Sequence, residues 1–379
     1  MGIAFVHTAD WQLGKPFARF DPDVAARLAA ARLDAIDRVA GVAVAAGIGL
    51  VLVAGDVFDS ERASDGLIRT ALGRMDAYRM LVWHLLPGNH DPARPGGVWA
   101  RLPGLGMPPN VMVHLAPAPA MLSVGCVLLP APLAAKEMQT DPTLWMDSTP
   151  SPEGTLRIGL AHGSVQGFGS LGEAAVPIDA GRRRSAGLDY LALGDWHGTK
   201  EIASGVWYSG TPEPDSFADN GPGHALLVRL DGPGAPPVVE VVGTSAYRWL
   251  ERRVVMSRLA DLTPLEDEAQ RLGPAAARHI VALALEGAIS VGDSAALETR
   301  LAVLSARLMA LDLDRRRLRM AMSPGDLALL GEAGPVEAVA RRLAEKAAGA
   351  ATAEARVAER ALGMLFSYAT PDLAEGAKP

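Results

Sequence analysis

Short apolar runs alternate with longer helical stretches in the first part of the chain. The apolar runs at residues 3–6, 48–54 and 80–86 have the length of strands that are covered on both faces, and each is followed by polar residues. Between them, residues 22–46 and 64–78 have the length and spacing of helices, and the first of these begins with a proline, which a first helical turn accepts. This alternation predicts α/β units built on a parallel sheet.

Strands dominate the pattern from residue 111 to residue 242. The spacing at residues 111–132 is typical of hairpins, and further apolar runs occur at 156–161, 188–193, 206–209, 224–230 and 238–242. Beyond about residue 246 the pattern becomes a mixture of strands at 254–256, 279–285 and 318–321 with helices after Thr263 and at 294–310. Residues 323–379 are rich in Ala, Arg and Glu. We therefore expect an α/β domain at 1–245, a small α+β domain at 246–322, and a helical region with a polar tail at 323–379.

Polar residues stand where the predicted strands end. Most are Asp, Asn or His, the side chains that bind Mn, Fe, Zn or Mg: Asp10, Gln12, Asp56, Asp59, Asn89, His90, His162, Asp195 and His197. Ligands bind at the carboxyl ends of the strands in such sheets, so these side chains can meet at one edge of the fold. A single Asp-Gly pair is more often only a turn, but five such clusters in order favour a site. About seven ligands suit a pair of ions bridged by one carboxylate.

Composition and charge narrow the function classes. The net charge is -7 at pH 7, which argues against a generally basic nucleic-acid coat but permits a local basic groove. Cys126 is the one cysteine, so neither a disulfide framework nor a Cys-based zinc site is expected. No signal-peptide pattern and no apolar run long enough to span a bilayer are visible. We expect a cytoplasmic protein that does not bind membranes.

The ordered motifs carry a family resemblance. Asp10-x-Gln12, Gly55-Asp56-x-x-Asp59, Gly88-Asn89-His90-Asp91, Ala161-His162-Gly163 and Gly194-Asp195-x-His197 together resemble the calcineurin-like metallophosphoesterase superfamily. The phrases at 7–14 and 208–213 look most like the DNA repair nucleases of the SbcD and YhaO kind. The resemblance implies a four-layer αββα sandwich, and residues 246–322 are similar in pattern to the capping domain of those nucleases.

The resemblance also implies a role for each site residue. Two divalent ions are expected. The ligands of the first ion would be Asp10, Gln12, Asp56 and His197. Asp56 would bridge to the second ion, which would be completed by Asn89, His162 and Asp195. His90 resembles the histidine that protonates the leaving oxygen, and Asp59 resembles the carboxylate that orients it.

Two positions depart from the family pattern. Position 12 is usually His and is Gln12 here, and position 195 is usually His and is Asp195 here. Each ion therefore loses one imidazole. Exchange of nitrogen for oxygen shifts the preference toward Mn or Mg and away from Zn. We expect a more weakly held first ion and Mn as the activating metal, with Mg, Fe and Zn as alternatives. A metal-poor, inactive scaffold is the competing interpretation.

The favoured function is hydrolysis of DNA phosphodiester bonds by a repair exo- or endonuclease subunit. Its expected partners are DNA and an SMC-like coiled-coil ATPase subunit, with a homodimer as a further alternative. Five basic residues are candidates for phosphate contact, although a short Arg run equally suits a solvated helix face: Lys15, Arg19, Arg182, Arg183 and Arg184. One alternative function is a phosphoesterase for small nucleotides or phosphoproteins. Another is a non-catalytic DNA-binding or scaffolding subunit.

Overall fold

The chain forms two compact units, Met1–Ala246 and Tyr247–Pro379. A computed structural model describes residues 2–166, 176–321, 326, 334–347 and 352–369. Each unit has an apolar core of its own. In the described part of the chain no helix is both long and apolar enough to cross a membrane.

The first unit is built from two six-stranded sheets and four helices in its described residues. The strands in chain order are β1 (Ile3–Thr8), β2 (Leu50–Val53), β3 (Val82–Leu85), β4 (Val111–Val113), β5 (Ala120–Ser123), β6 (Cys126–Ala131), β7 (Leu156–His162), β8 (Ser164–Val165), β9 (Pro177–Ile178), β10 (Tyr190–Gly194), β11 (Lys200–Ala203), β12 (Val206–Tyr208), β13 (His224–Leu230) and β14 (Val238–Gly243). The helices are α1 (Pro22–Ala45), α2 (Asp65–Asp76), α3 (Val98–Arg101) and α4 (Arg182–Ser185). Strands β8 and β9 pair with each other outside the two large sheets.

Parallel strands form the centre of both sheets. The first sheet has the order β14-β13-β1-β2-β3-β4, in which β1 to β4 are parallel and β13 and β14 extend it in antiparallel fashion. The second has the order β11-β12-β10-β7-β6-β5, in which β12, β10, β7 and β6 are parallel. The carboxyl ends of β1, β2 and β3 therefore lie along one edge, and those of β7 and β10 lie along an edge of the other sheet.

Three apolar layers hold the sheets and helices together. Phe5 and Leu52 of the first sheet pack with Leu128 and Leu160 of the second, so the inner core lies between the sheets. The outer face of the first sheet is covered by α1 and α2, whose buried side chains pack against it. The outer face of the second sheet is covered by shorter segments, α4 and the 3₁₀ turn Leu144–Ser148. The four-layer sandwich that the motifs predicted is confirmed, with a thin fourth layer.

The second unit contains a three-stranded parallel sheet with the order β15-β16-β17. The elements in chain order are β15 (Arg248–Met256), α5 (Thr263–Leu272), β16 (His279–Ser290), α6 (Ser294–Arg307) and β17 (Ala310–Ala321). Each strand is joined to the next through a helix, and Leu265, Leu283 and Leu301 lie in the shared core. The strands are longer than the sequence indicated, because exposed Arg and Glu side chains interrupt the apolar pattern in β15 and β17.

Among the described residues that follow, two longer helices are α7 (Pro335–Ala347) and α8 (Ala353–Ala369). They pack against each other, and Ala340 of α7 and Leu362 of α8 form a small apolar cluster with Val291. These are helices that the Ala- and Leu-rich pattern predicted. The predicted polar tail lies outside the described residues.

Candidate metal centre

The backbone takes a left-handed conformation at several predicted ligands. Within the described residues, the non-glycine residues with positive φ are Asp10 (55°), Gln12 (41°), Asp56 (52°) and Asp195 (105°). Each lies within a few residues of the end of a strand. Such a conformation costs about 1–2 kcal/mol for a residue other than glycine. Strained residues of this kind cluster at functional sites, so the backbone singles out four of the predicted ligands without reference to their chemistry.

Glycines let the strand-end loops approach one another. A Cβ atom on Gly88 would lie 2.2 Å from Oδ1 of Asp56, and one on Gly194 would lie 2.0 Å from the carbonyl oxygen of Ala54. Neither separation is compatible with a side chain. The glycine that precedes Asn89 and the one that precedes Asp195 are thus required by the packing of the loops around the site.

Three buried side chains form the centre of the site. One ligand atom each from Asp10, Asp56 and His162 lies within 4.8 Å of the others. The Nδ1–H of His162 donates to the carbonyl oxygen of Ala54 at 2.8 Å and lies on the side of Asp10, 3.9 Å from its Oδ1, so Nε2 is the nitrogen that faces Asp56. The main-chain N–H of Asp195 donates to both oxygens of Asp10, at 3.0 and 3.2 Å, which fixes that carboxylate.

Acceptor atoms converge on Nε2 of His162. Oδ1 of Asn89 is 3.2 Å away, Oδ1 of Asp56 is 3.5 Å away and Oδ1 of Asp195 is 3.9 Å away. We call these four residues the acceptor cluster. Its members are the predicted ligands of the second ion. Lone pairs that face one another in this way need a cation or a proton between them, so the donor set fits a divalent metal ion.

The protonation of His162 and Asp10 reflects this concentration of negative charge. Burial alone would lower the pKa of His162, but the carboxylates of Asp56, Asp10 and Asp195 raise it to about 9. Burial raises the pKa of Asp10 to about 6. A metal ligand has to be deprotonated, so binding of an ion at the acceptor cluster would release the His162 proton.

The other predicted ligands have a different arrangement. Nε2 of Gln12 donates to Nε2 of His197 at 3.1 Å and lies 3.4 Å from Oδ2 of Asp56. Oε1 of Gln12 accepts a hydrogen bond from Nζ of Lys15 at 3.0 Å. Lys15 in turn pairs with Oδ2 of Asp215 at 2.6 Å, and Oδ1 of Asp215 accepts from Nδ1 of His197 at 3.2 Å. We call Gln12, Lys15, His197 and Asp215 the amide ring.

Asp215 and Arg32 are site residues that the sequence analysis missed. Burial alone would raise the pKa of Asp215, but the hydrogen bond and charge of His197, with the charges of Arg32 and Lys15, hold it well below its usual range. The Arg32 guanidinium, which is only 1% exposed, donates to the carbonyl oxygens of Trp11, Asp10 and Glu213. A signal for Arg32 was available, because it lies four residues from both Leu28 and Ile36 on the apolar face of α1.

His90 lies at the mouth of the site, with 39% of its side chain exposed. Its main-chain N–H donates to Oδ1 of Asp56 at 2.9 Å, and its Nε2 is 3.9 Å from Oδ2 of Asp56. Nδ1 of His90 contacts the main-chain carbonyl of Asp59 at 3.2 Å. The prediction that the Asp59 carboxylate orients His90 is therefore corrected: the contact is made by the main chain of Asp59. The adjacent Asp91 holds the turn by accepting from the N–H groups of Gly88 and Phe58.

The five basic residues proposed for phosphate contact have separate environments. Lys15 belongs to the amide ring, and the Arg19 guanidinium lies over the rings of Phe20 and Phe217 at 5.5 and 5.1 Å. Arg182 is buried, and its guanidinium pairs with Asp141 and Asp147, so the phosphate-binding prediction is wrong for this residue. Arg183 is half-buried and donates to the carbonyl of Asp189, whereas Arg184 is exposed.

Two packed sheets with helices outside carry a cluster of carboxylate, amide and imidazole groups at their strand ends. Residues 3–175, slightly under half of the chain, match the model of the family described as calcineurin-like phosphoesterase. The superfamily that the motifs predicted is confirmed. The family indicates metal-dependent hydrolysis of phosphoester bonds and typically binds divalent metals.

Other comparisons add little to this assignment. No curated protein matches the chain. Among solved structures, the protein TT1561 of Thermus thermophilus is 12% identical over 64% of this chain and 100% of that chain, with a TM-score of 0.42. A dimetal phosphatase from Danio rerio is 10% identical over 63% of this chain and 98% of that chain, with a TM-score of 0.38. Similarity at this level supports no conclusion about the substrate.

Proposed function

We propose that this protein is a metal-dependent nuclease that hydrolyses DNA phosphodiester bonds. The observation that carries the phosphoester chemistry is the convergence of acceptor atoms on Nε2 of His162, beside an exposed histidine at the mouth of the site. The choice of DNA is supported by the phrases at residues 7–14 and 208–213, which look most like those of repair nucleases. Oxygen donors predominate in the acceptor cluster, which favours Mn as the activating metal.

Each residue of the site has a physical task in this reaction. Asp10, Asp56 and His162, with Asn89 and Asp195, would hold a divalent ion, which would supply Lewis acidity and activate a water molecule. Nδ1–H of His90 donates to the carbonyl of Asp59, which leaves Nε2 at the mouth of the site to carry the proton for the leaving oxygen. The carboxylate of Asp56 accepts a hydrogen bond from the main-chain N–H of His90 and so holds that residue in place.

The direct test is hydrolysis of linear single- and double-stranded DNA by the purified protein with Mn. We expect release of nucleotides or nicked products, and we expect His90→Ala to lose at least about 100-fold in turnover, the usual scale of general acid catalysis, while it keeps its metal and its DNA binding. Asp59→Asn is the matched control. It should remain active, since the orienting contact is made by a main-chain carbonyl that this substitution preserves.

The outcomes separate the candidate functions. Turnover of a small phosphodiester without attack on DNA would favour a phosphoesterase for small nucleotides or phosphoproteins. Salt-sensitive DNA binding without hydrolysis under any metal would favour a scaffolding subunit. Unchanged turnover in His90→Ala would remove this residue as the acid, and equal losses in both variants would return the orienting role to the Asp59 carboxylate.

The proposed partners are DNA and an SMC-like coiled-coil ATPase subunit. Helices α7 and α8 support a protein partner, because Val339, Val357 and Tyr368 expose large apolar side chains on them. A homodimer through the same helices is the alternative. Light scattering on the purified chain separates the two: a monomer at micromolar concentration would exclude a stable homodimer.

A further inference from the structure

We propose that the site holds one divalent ion, and that the amide ring takes the place of the ion expected between Gln12 and His197. The proposal deepens the proposed function and rests on it, since both depend on the acceptor cluster. It concerns the number of ions, which can be counted without any measurement of turnover.

The orientation of the Gln12 amide is the first step. Its oxygen accepts a hydrogen bond from the Lys15 ammonium at 3.0 Å, so its NH₂ group is the end that faces His197 and Asp56. An amide nitrogen offers N–H groups and no lone pair, so it is no metal ligand in this orientation. A flipped amide would place its NH₂ group against the ammonium, where two donors would face each other. Lys15 therefore selects the orientation that does not bind an ion.

The neighbouring lone pairs are already used in the same ring. Nδ1 of His197 lies 3.2 Å from Oδ1 of Asp215 and donates to it, so in the neutral imidazole Nε2 is the acceptor nitrogen, and it lies 3.1 Å from the Gln12 amide nitrogen. Oδ2 of Asp56, the predicted bridging residue, lies 3.4 Å from the same NH₂ group. An ion at this position would have to displace the amide from both contacts.

The distribution of charge also disfavours an ion between Gln12 and His197. The Lys15 ammonium is held at 2.6 Å by Asp215, whose side chain is buried, so a fixed positive charge stands on the side of the site where the first ion is expected. At the acceptor cluster the situation is reversed, because the oxygens of Asp56, Asn89 and Asp195 surround a single imidazole nitrogen. The acceptor cluster is thus arranged for a cation, whereas the amide ring supplies hydrogen-bond donors and the positive charge of Lys15.

The experiment counts Mn²⁺ on the full-length protein. The chelated protein is titrated with Mn²⁺ by calorimetry, and bound metal per chain is measured after removal of free metal. We expect one Mn²⁺ per chain with the electron paramagnetic resonance spectrum of an isolated ion. Gln12→His restores an imidazole and is expected to bind two ions with a spin-coupled spectrum. Gln270→His, on the exposed face of α5, is the matched control and should stay at one.

Each outcome decides the matter. Two ions of similar affinity in the unaltered protein would overturn the single-ion proposal and leave the proposed function intact. No bound ion would overturn the proposed function and this proposal together. A Gln12→His variant that stays at one ion would refute the amide as the cause. If Gln12→His does not fold, as judged by circular dichroism, Lys15→Met takes its place. It frees the amide to turn its oxygen toward His197 and should gain a second ion.

Discussion

The buried guanidinium of Arg32 offers a sharp test of how the site is held in shape. Its nitrogens donate to the carbonyl oxygens of Trp11 (2.8 Å), Glu213 (2.9 Å) and Asp10 (3.0 Å), and to Oγ1 of Thr211 (3.3 Å). These acceptors come from two segments about two hundred residues apart in the sequence. We predict that Arg32→Met destabilises the first unit and weakens metal binding, because methionine fills much of the same volume without any donor.

The size of the effect follows from the bonds that are lost. Each buried acceptor left without a donor costs about 1–3 kcal/mol, and loss of one partner of a buried charge network costs about 3–5 kcal/mol. These contributions overlap, so we expect a total loss of about 3–5 kcal/mol in the free energy of unfolding. With a urea m-value of about 3 kcal/mol/M, the midpoint would fall by about 1 M or more.

The assay is urea unfolding followed by tryptophan fluorescence, which reports mainly on the first unit because six of the seven tryptophans lie within it. Arg27→Met is the matched control, since Arg27 is exposed on the same helix and should change stability by less than about 0.5 kcal/mol. Mn²⁺ affinity is measured on both variants. Equal unfolding midpoints and equal Mn²⁺ affinities would refute the reasoning that Arg32 ties the two segments together beneath the site.

Two further predictions concern packing and pH. Gly88→Ala places a Cβ atom 2.2 Å from Oδ1 of Asp56, so Mn²⁺ affinity should fall by about 10–100-fold in a titration. Gly66→Ala is the control, because a Cβ atom there has nothing within 4 Å, and it should leave the affinity unchanged. Equal affinities in the two variants would show that the loop at Gly88 adjusts without cost. Burial lowers the pKa of both His84 and His114 to about 4, so the neutral rings stabilise the fold fully above pH 6.5, and this stability is lost as the pH falls toward 4. In the double variant with Phe at both positions, the fall in the free energy of unfolding over that interval should be smaller by up to about 3 kcal/mol per ring, as measured by urea unfolding. An unchanged pH profile would contradict the lowered pKa of the two histidines.

Much of the fold followed from the sequence because of where its strands lie. Strands β1, β2 and β3 are covered on both faces and stand out as continuous apolar runs, so their positions and the helices between them were predictable. Strands β15 and β17 have exposed charged side chains along them and were predicted too short. Arg315, Arg316 and Arg317 lie within β17 but outside the strand predicted at residues 318–321.

The members of the site were predictable to a similar degree. Asp56, Asn89 and Asp195 follow glycines at the ends of strands, and the structure brings them around His162. Asp215 was missed because no apolar run and no ligand motif precedes it directly. Its role depends on contacts with Lys15 and His197, and a short sequence window contains no information about such contacts.

The sequence by itself determined the order of the elements, the superfamily and the kinds of side chain that meet at the strand ends. The tertiary structure decided how those side chains are used. It turns the Gln12 amide so that its nitrogen faces His197, because Lys15 occupies the oxygen, and it orients His90 with the main chain of Asp59 in place of the carboxylate. The physical reason is that a hydrogen bond depends on distance and direction between single atoms. Those are set only when segments as far apart as Lys15 and Asp215 are brought together.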